Sequence, residues 1–173
     1  MVIRPALDTD VDSLLKIYAP YVAASSISFE CELPSSEEFL QRIIKYQSRW
    51  QWLVAEIEGN IVGYAYGSPH RERSAYQWSA DVSVYVSALS HGQGIGKKLY
   101  LHLLRDLANK GYRQAFAGIA QPNVKSVALH RSVGFELLGV YKSVGFKHGQ
   151  WHDVAWYQLP LGVGSDMAPT AIL

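Results

Sequence analysis

Apolar residues recur along this chain with two periods, and the switches between the periods divide it into elements. Val11, Leu14, Leu15, Tyr18 and Val22 follow helical spacing, which predicts a helix from about Asp10 that ends or kinks near Pro20. Thr9, with Asp12 three residues on, resembles a capping box at its start. A cleaner box, Ser35-x-x-Glu38, precedes Phe39, Leu40, Ile43 and Ile44 and predicts a second helix to about Tyr46. Ahead of both, Val2, Ile3 and Arg4 read as a short strand ended by Pro5. The period then changes. Residues 52–57 and 61–66 are β-rich runs separated by Glu58-Gly59-Asn60, a hairpin signal with a three-residue loop. After a polar loop at 68–75, residues 77–87 alternate. Trp78, Ala80, Val82, Val84 and Val86 share one face; Ser79, Asp81, Ser83, Tyr85 and Ser87 share the other.

Helical spacing returns in Leu99, Leu103 and Leu107, and Gly111 ends that run with a cap that sets Tyr112 over Leu107. Residues 114–120 read as a strand and 123–133 as a helix ended by Gly134, and 135–141 and 154–159 read as two more strands. The order β-α-α-β-β-β-α-β-α-β-β predicts one α/β domain with a mixed sheet.

Composition narrows the function classes. The 173 residues are 49% hydrophobic and 18% charged, which excludes disorder by composition. Sixteen Lys+Arg against 15 Asp+Glu give a net charge of +1, so a basic surface for nucleic acid or for an anionic membrane is not expected. Cys31 is the single cysteine and closes no intramolecular disulfide. The first residues carry Arg4, Pro5 and Asp8 rather than an apolar signal run, and a cytoplasmic location is expected. Residues 1–161 are read as the domain and 162–173, small and nearly uncharged, as a flexible tail.

The chemistry concentrates in His91-Gly92-Gln93-Gly94-Ile95-Gly96-Lys97, where a strand turns into a helix. Glycines admit close backbone approach, and a helix N-terminus offers unpaired N–H groups to a phosphate. The turn therefore points to a pyrophosphate, or to a tight turn without a ligand. A P-loop is excluded because His91 stands where its first Gly belongs and Lys98 where Ser or Thr should hold magnesium. A dinucleotide fingerprint is excluded because Gly94-x-Gly96 runs on to Leu99, not Gly.

The strand 82–86, the turn His91-x-x-Gly94-x-Gly96 and the helix after it resemble the coenzyme A signature of the GNAT superfamily of N-acetyltransferases. The match is closer to the phosphinothricin (methionine sulfoximine) acetyltransferase family. It is carried by Ile27-Ser28-Phe29-Glu30, Tyr76-Gln77-Trp78, Ser83-Val84-Tyr85-Val86, Pro122-Asn123, Leu129-His130 and Gly145-Phe146-Lys147-His148-Gly149-x-Trp151-His152-Asp153-Val154. The resemblance spans roughly residues 2–161. It implies a GNAT fold: a mixed, mostly antiparallel sheet splayed between two parallel strands and flanked by helices. It implies acetyl-CoA as co-substrate, held by Val84, Tyr85, Val86, the turn 91–97 and Asn123, and direct transfer to a primary amine. A homodimer is implied as well.

Candidate residues follow. Asp81, on the polar face of its strand, stands where the family has Glu and is the candidate general base, directly or through water. His130 is the candidate proton donor to the departing thiolate. Arg71 and Arg73 resemble a carboxylate-binding pair for an amino-acid-like substrate. Phe29 and Tyr76 would wall the pocket, the parity of Trp78 suggests core, and Lys147 would reach a partner subunit's site. His91 replaces the usual Gln or Arg and either shapes the loop or touches phosphate. His148 and His152 have metal-ligand spacing for a helix, but Gly149 and Trp151 disfavour one there, and no metal is expected. The alternatives are acetylation of another amine, such as a protein N-terminus, and a sensing module without turnover.

Overall fold

The computed structural model describes residues 1–162, 169, 171 and 172. Its elements are β1 (Val2–Pro5), α1 (Val11–Ala23), α2 (Ser36–Trp50), β2 (Trp52–Ile57), β3 (Asn60–Pro69), β4 (Ser79–Val86), α3 (Ile95–Lys110), β5 (Gln114–Ala120), α4 (Val124–Ser132), β6 (Glu136–Lys147) and β7 (Gln150–Pro160). The seven strands form one sheet in the order β1-β2-β3-β4-β5-β7-β6. Every neighbouring pair is antiparallel except β4 and β5. No helix among the described residues is long and apolar enough to cross a membrane.

Around β2 both faces of the sheet are covered, which explains why β2 reads as a continuous apolar run. Leu53 and Ala55 enter one core with Leu99, Leu103 and Leu107 of α3. Trp52 and Val54 enter the other with Leu14 of α1 and Phe39 and Ile43 of α2. Under α3 the sheet presents Ala65, Ala80, Ala115 and Ala117, and these small side chains let the helix sit close. The expected tail from Gly162 to Leu173 lies largely outside the described residues, although Ile172 packs against the larger core.

Several local expectations hold in detail. Glu38 N–H donates to Ser35 Oγ at 3.2 Å while Ser35 N–H donates to Glu38 Oε2 at 2.8 Å, completing the capping box. Gly111 N–H donates to the Ala108 carbonyl and Tyr112 N–H to the Leu107 carbonyl, the expected end of α3. Gly134 and Phe135 close α4 in the same way.

Other elements differ from expectation for identifiable reasons. Thr9 and Asp12 form no capping box. Asp10 takes that place: its carboxylate accepts the Leu7 N–H at 2.8 Å and pairs with Arg4 at 2.7 Å, and a short 3-10 turn leads into α1. Helix α1 continues through Pro20 to Ala23. Proline removes a single N–H, the one due to the Lys16 carbonyl. Lys16 and Pro20 both lie on the exposed side, and Tyr18 and Val22 bury the opposite face. The β2–β3 loop has two residues rather than three, because Ile57 pairs with Asn60. Glu58 and Gly59 take φ of +50° and +79°, as a type I′ turn requires.

The largest difference is the last hairpin. Strands β6 and β7 run well past 141 and begin well before 154, joined at His148-Gly149 by a second turn with positive φ at both residues. The pairing shifts register between Tyr141 and Gly145, and Ser143 has a φ of +47°. That irregularity breaks the alternation that marks a strand in the letters.

Candidate active site

Strands β4 and β5 pair only over Ser79, Ala80 and Asp81 against Gln114, Ala115 and Phe116. Beyond that they part. Residues 82–86 remain paired to β3 on one side, and residues 117–120 to β7 on the other, so the two inner edges face each other across a gap. Backbone groups on such edges lack a strand partner and are available to a ligand. A cleft of about 600 Å³ opens here, with Asp81, Ser83 and Tyr85 on the β4 side, Gly118 on β5, Trp156 on β7 and Phe29 from the α1–α2 loop.

Asp81 stands at the fork, its side chain 27% exposed. Burial pushes its carboxyl up from the usual range; a hydrogen bond and charge from His70, and charge from Arg71, work against that push. The His70 Nδ1–H donates to Asp81 Oδ1 at 2.6 Å. His70 was not legible as a site residue, lying in what the letters show as a polar loop. The register explains it. Ser68 of β3 lies opposite Asp81, and two residues on the chain returns to the same face.

Phe29 is held by a contact that only glycine permits. Its ring lies against Gly145 so closely that a Cβ there would overlap it. Lys147, expected to reach another subunit, is buried in its own chain, and its ammonium donates to the Val22 and Ser28 carbonyls at 2.6 and 2.7 Å. It thereby ties the β6–β7 arm to the loop that carries Phe29. Tyr76 is exposed, its ring 6.0 Å from His70. Arg71 borders a smaller pocket of about 180 Å³ that shares Tyr141 and Trp156 with the cleft, and its guanidinium lies 5.8 Å from the Trp156 ring centre. Arg73 is exposed just before the turn Ser74–Tyr76 and lines neither pocket.

The structure sets His130 apart from Asp81. It is 3% exposed in the core under α3 and α4. Its Nδ1–H donates to the Ser126 carbonyl at 2.7 Å, so Nε2 accepts from the Tyr100 hydroxyl at 2.9 Å. Burial lowers its pKa, opposed by the Ser126 carbonyl, and the ring is neutral at neutral pH. Phe135 and Tyr157 complete its surroundings.

At the far end of the gap, Gly92 and Gly94 take φ of +79° and +74°, and nothing stands within 4 Å of where a Cβ would be. Gly94 begins α3, whose first internal bond runs from Lys98 N–H to the Gly94 carbonyl; the N–H groups of Ile95, Gly96 and Lys97 precede it. The first turn carries no acid, and Gln93 and Lys97 are exposed beside it. This open, donor-rich helix end fits a pyrophosphate. Gly96 sits under Leu129, and Val84 and Val86 pack beside it, while Tyr85 joins the aromatic cluster of the opposite face. His91 shapes the loop: its Nε2–H donates to the Val86 carbonyl at 3.0 Å, which Tyr21 also holds. Asn123 caps α4 by accepting the Ser126 N–H through Oδ1, and its Nδ2 is left as a donor.

A sheet splayed between two parallel strands, a half-buried carboxylate at the fork and a glycine turn at the open end are thus gathered around one gap. Residues 3–156 match the model of the acetyltransferase (GNAT) domain, and the chain belongs to that family. It is 38% identical over 156 residues to the phosphinothricin N-acetyltransferase of Streptomyces viridochromogenes, covering 90% of this chain and 85% of that one. It is 30% identical to the L-methionine sulfoximine/L-methionine sulfone acetyltransferase of Salmonella typhimurium, covering 93% and 95%. Among solved structures, the phosphinothricin acetyltransferase of Sinorhizobium meliloti in complex with AcCoA superposes with a TM-score of 0.94 at 38% identity, covering 98% and 92%.

Proposed function

We propose that this chain transfers the acetyl group of acetyl-CoA to the primary amine of a small amino-acid-like substrate of the phosphinothricin, methionine sulfoximine or methionine sulfone type. The observation that carries this reading is Asp81 on the wall of the cleft where β4 and β5 part. Acetyl-CoA supplies an activated thioester. The inner edges of β4 and β5 would receive its extended arm, Asn123 Nδ2 would hydrogen-bond that arm, and the Gly92–Gly94 turn with the α3 N-terminus would take the pyrophosphate.

Asp81 accepts a proton from the substrate amine, which frees the nitrogen pair for attack. A carboxylate raised by burial is a better base than an exposed one. Arg71, beside the cleft, binds the substrate carboxylate. Phe29 and Trp156 close the cleft around the side chain of the substrate. In this reading the departing sulfur takes its proton through water, because both ring nitrogens of His130 are engaged within the core.

A second copy of the chain completes the assembly in this reading. Leu137, Leu138, Val140, Phe146 and Trp151 leave an exposed apolar surface on the β6–β7 arm, as self-association needs. A cytoplasmic enzyme agrees with the free, exposed thiol of Cys31. The test is acetyl transfer from acetyl-CoA across free amino acids and their phosphinate, sulfoximine and sulfone analogues, with light scattering for the mass in solution. Turnover confined to peptide N-termini would overturn the substrate assignment.

A further inference from the structure

Asp81 shares its face of the sheet with a second titratable group. His70 follows β3 directly, and the register that sets Ser68 opposite Asp81 brings His70 diagonally onto the carboxylate. The imidazole is held firmly. It stacks on Phe116 at 4.1 Å and 15°, and Phe116 is itself the β5 partner of Asp81. Tyr76 and Trp156 approach its edges at 6.0 and 6.2 Å. With three aromatic rings around it, the His70 side chain is 12% exposed. Its Nδ1–H points at Asp81 Oδ1, and among the described residues Asp81 Oδ2 takes no hydrogen bond.

We propose that His70 is a positioning residue for the reaction: its Nδ1–H fixes the Asp81 carboxylate through Oδ1 and leaves Oδ2 as the oxygen that meets the amine. The inference rests on the cleft being the acetyl-transfer site. Asp81, not His70, lines that cleft; His70 borders the smaller pocket behind it. The substrate ammonium gives one proton to Oδ2, and the nitrogen pair it releases forms the bond to the thioester carbonyl carbon. The C–S bond breaks with its electron pair on sulfur. The second proton shed by nitrogen passes through water to that sulfur, and the proton on Asp81 returns to solvent.

The charged and titratable groups around Asp81 are few. His70 and Arg71 act on it from the β3–β4 connection. Phe116 of β5 and Trp156 of β7 are uncharged at every working pH. Tyr85 and Tyr141 line the cleft, and Glu30 of its wall is paired with Arg42 at 2.7 Å. Burial already favours the protonated carboxyl, and the His70 hydrogen bond opposes it. Loss of that bond therefore leaves the base protonated to higher pH.

The test compares wild type, His70→Ala and His70→Asn with acetyl-CoA and methionine sulfone. The Asn side chain places a donor close to where Nδ1 lies but has no basic nitrogen. His70→Ala is expected to lower kcat about tenfold and to move the acidic limb of kcat/KM up by about one pH unit. Acetyl-CoA affinity stays unchanged, and His70→Asn restores both rate and limb. An unchanged profile in His70→Ala overturns the proposal. So does a His70→Asn variant as impaired as His70→Ala, since the imidazole would then be the base itself. The Asp81 carboxyl is also followed by 13C NMR in the free protein, identified by its loss in Asp81→Asn. It should titrate at higher pH in His70→Ala; an unmoved titration counts against the proposal. If wild type acetylates no amine, the acetyl-transfer reading fails, and the carboxyl titration still decides whether His70 holds Asp81.

Discussion

The Lys147 ammonium donates to the Ser28 carbonyl at 2.7 Å and so joins the β6–β7 arm to the loop next to Phe29. The two residues are far apart in the chain, yet one buried cation satisfies carbonyls at Ser28 and Val22 together. The wall of the cleft is thus assembled from both ends of the sequence.

Replacing Lys147 with Met keeps the apolar stem and removes both donors. Each buried carbonyl left without a partner costs roughly 1–3 kcal/mol. The expected outcome is lower stability in urea, a raised KM for the amine and an unchanged dissociation constant for acetyl-CoA. An amine KM unchanged from wild type would show that the Lys147 contacts do not shape the amine pocket.

Gly94 opens α3 at a φ of +74° with free space around it. Gly94→Ala meets no neighbour but strains the backbone by about 1 kcal/mol. The turn relaxes away from the geometry that presents its N–H groups, and acetyl-CoA binding should weaken about tenfold by calorimetry. Gly94→Asn, a residue that tolerates this region, should lose less.

His130 is expected to contribute to stability rather than to the rate. His130→Phe keeps the bulk and strands the Tyr100 hydroxyl, which donates to His130 Nε2 at 2.9 Å, at a cost of about 1–3 kcal/mol. The folded-state pKa of His130 is lowered by burial. Its stabilisation is therefore full above the unfolded value near 6.5 and is lost as pH falls through the folded value. Urea midpoints of wild type and variant should converge on acidification, while kcat at neutral pH stays within about twofold. A fall of about 10²-fold or more would instead place His130 in the chemistry.

The strand alternation that put Asp81 on the face of Ser83 and Tyr85 was legible, because β4 is regular and its two faces meet different cores. The ends of α3 and α4 were legible because a glycine followed by an aromatic residue specifies their caps locally. What was not legible depends on contacts across the chain. The partnership of His70 with Asp81 needs the register of β3 on β4, and Lys147 needs the arm folded over residues 22 and 28. Helix α1 runs past Pro20 because burial of Tyr18 and Val22 outweighs one missing hydrogen bond.

Arg71 lies beside the cleft but is exposed, so an ion pair with a substrate carboxylate there would be partly screened. Arg71→Ala should raise the amine KM about tenfold with little change in kcat, the signature of uniform binding. A decarboxylated analogue should bind wild type and variant equally. A variant that still favours the acid over that analogue by the wild-type ratio would assign carboxylate recognition elsewhere.

The proposed role of Asp81 is to accept the amine proton in the cleft between β4 and β5. Its most direct test is the rate of CoA release with wild type and Asp81→Asn across pH, with acetyl-CoA affinity measured by calorimetry on both. Asn retains the size and the hydrogen bond to His70 but cannot take the proton. With Asp81 as the base, kcat should fall about 10²- to 10⁴-fold with acetyl-CoA binding intact. An Asp81→Asn enzyme that turns over at the wild-type rate, with the same acidic limb, would contradict it.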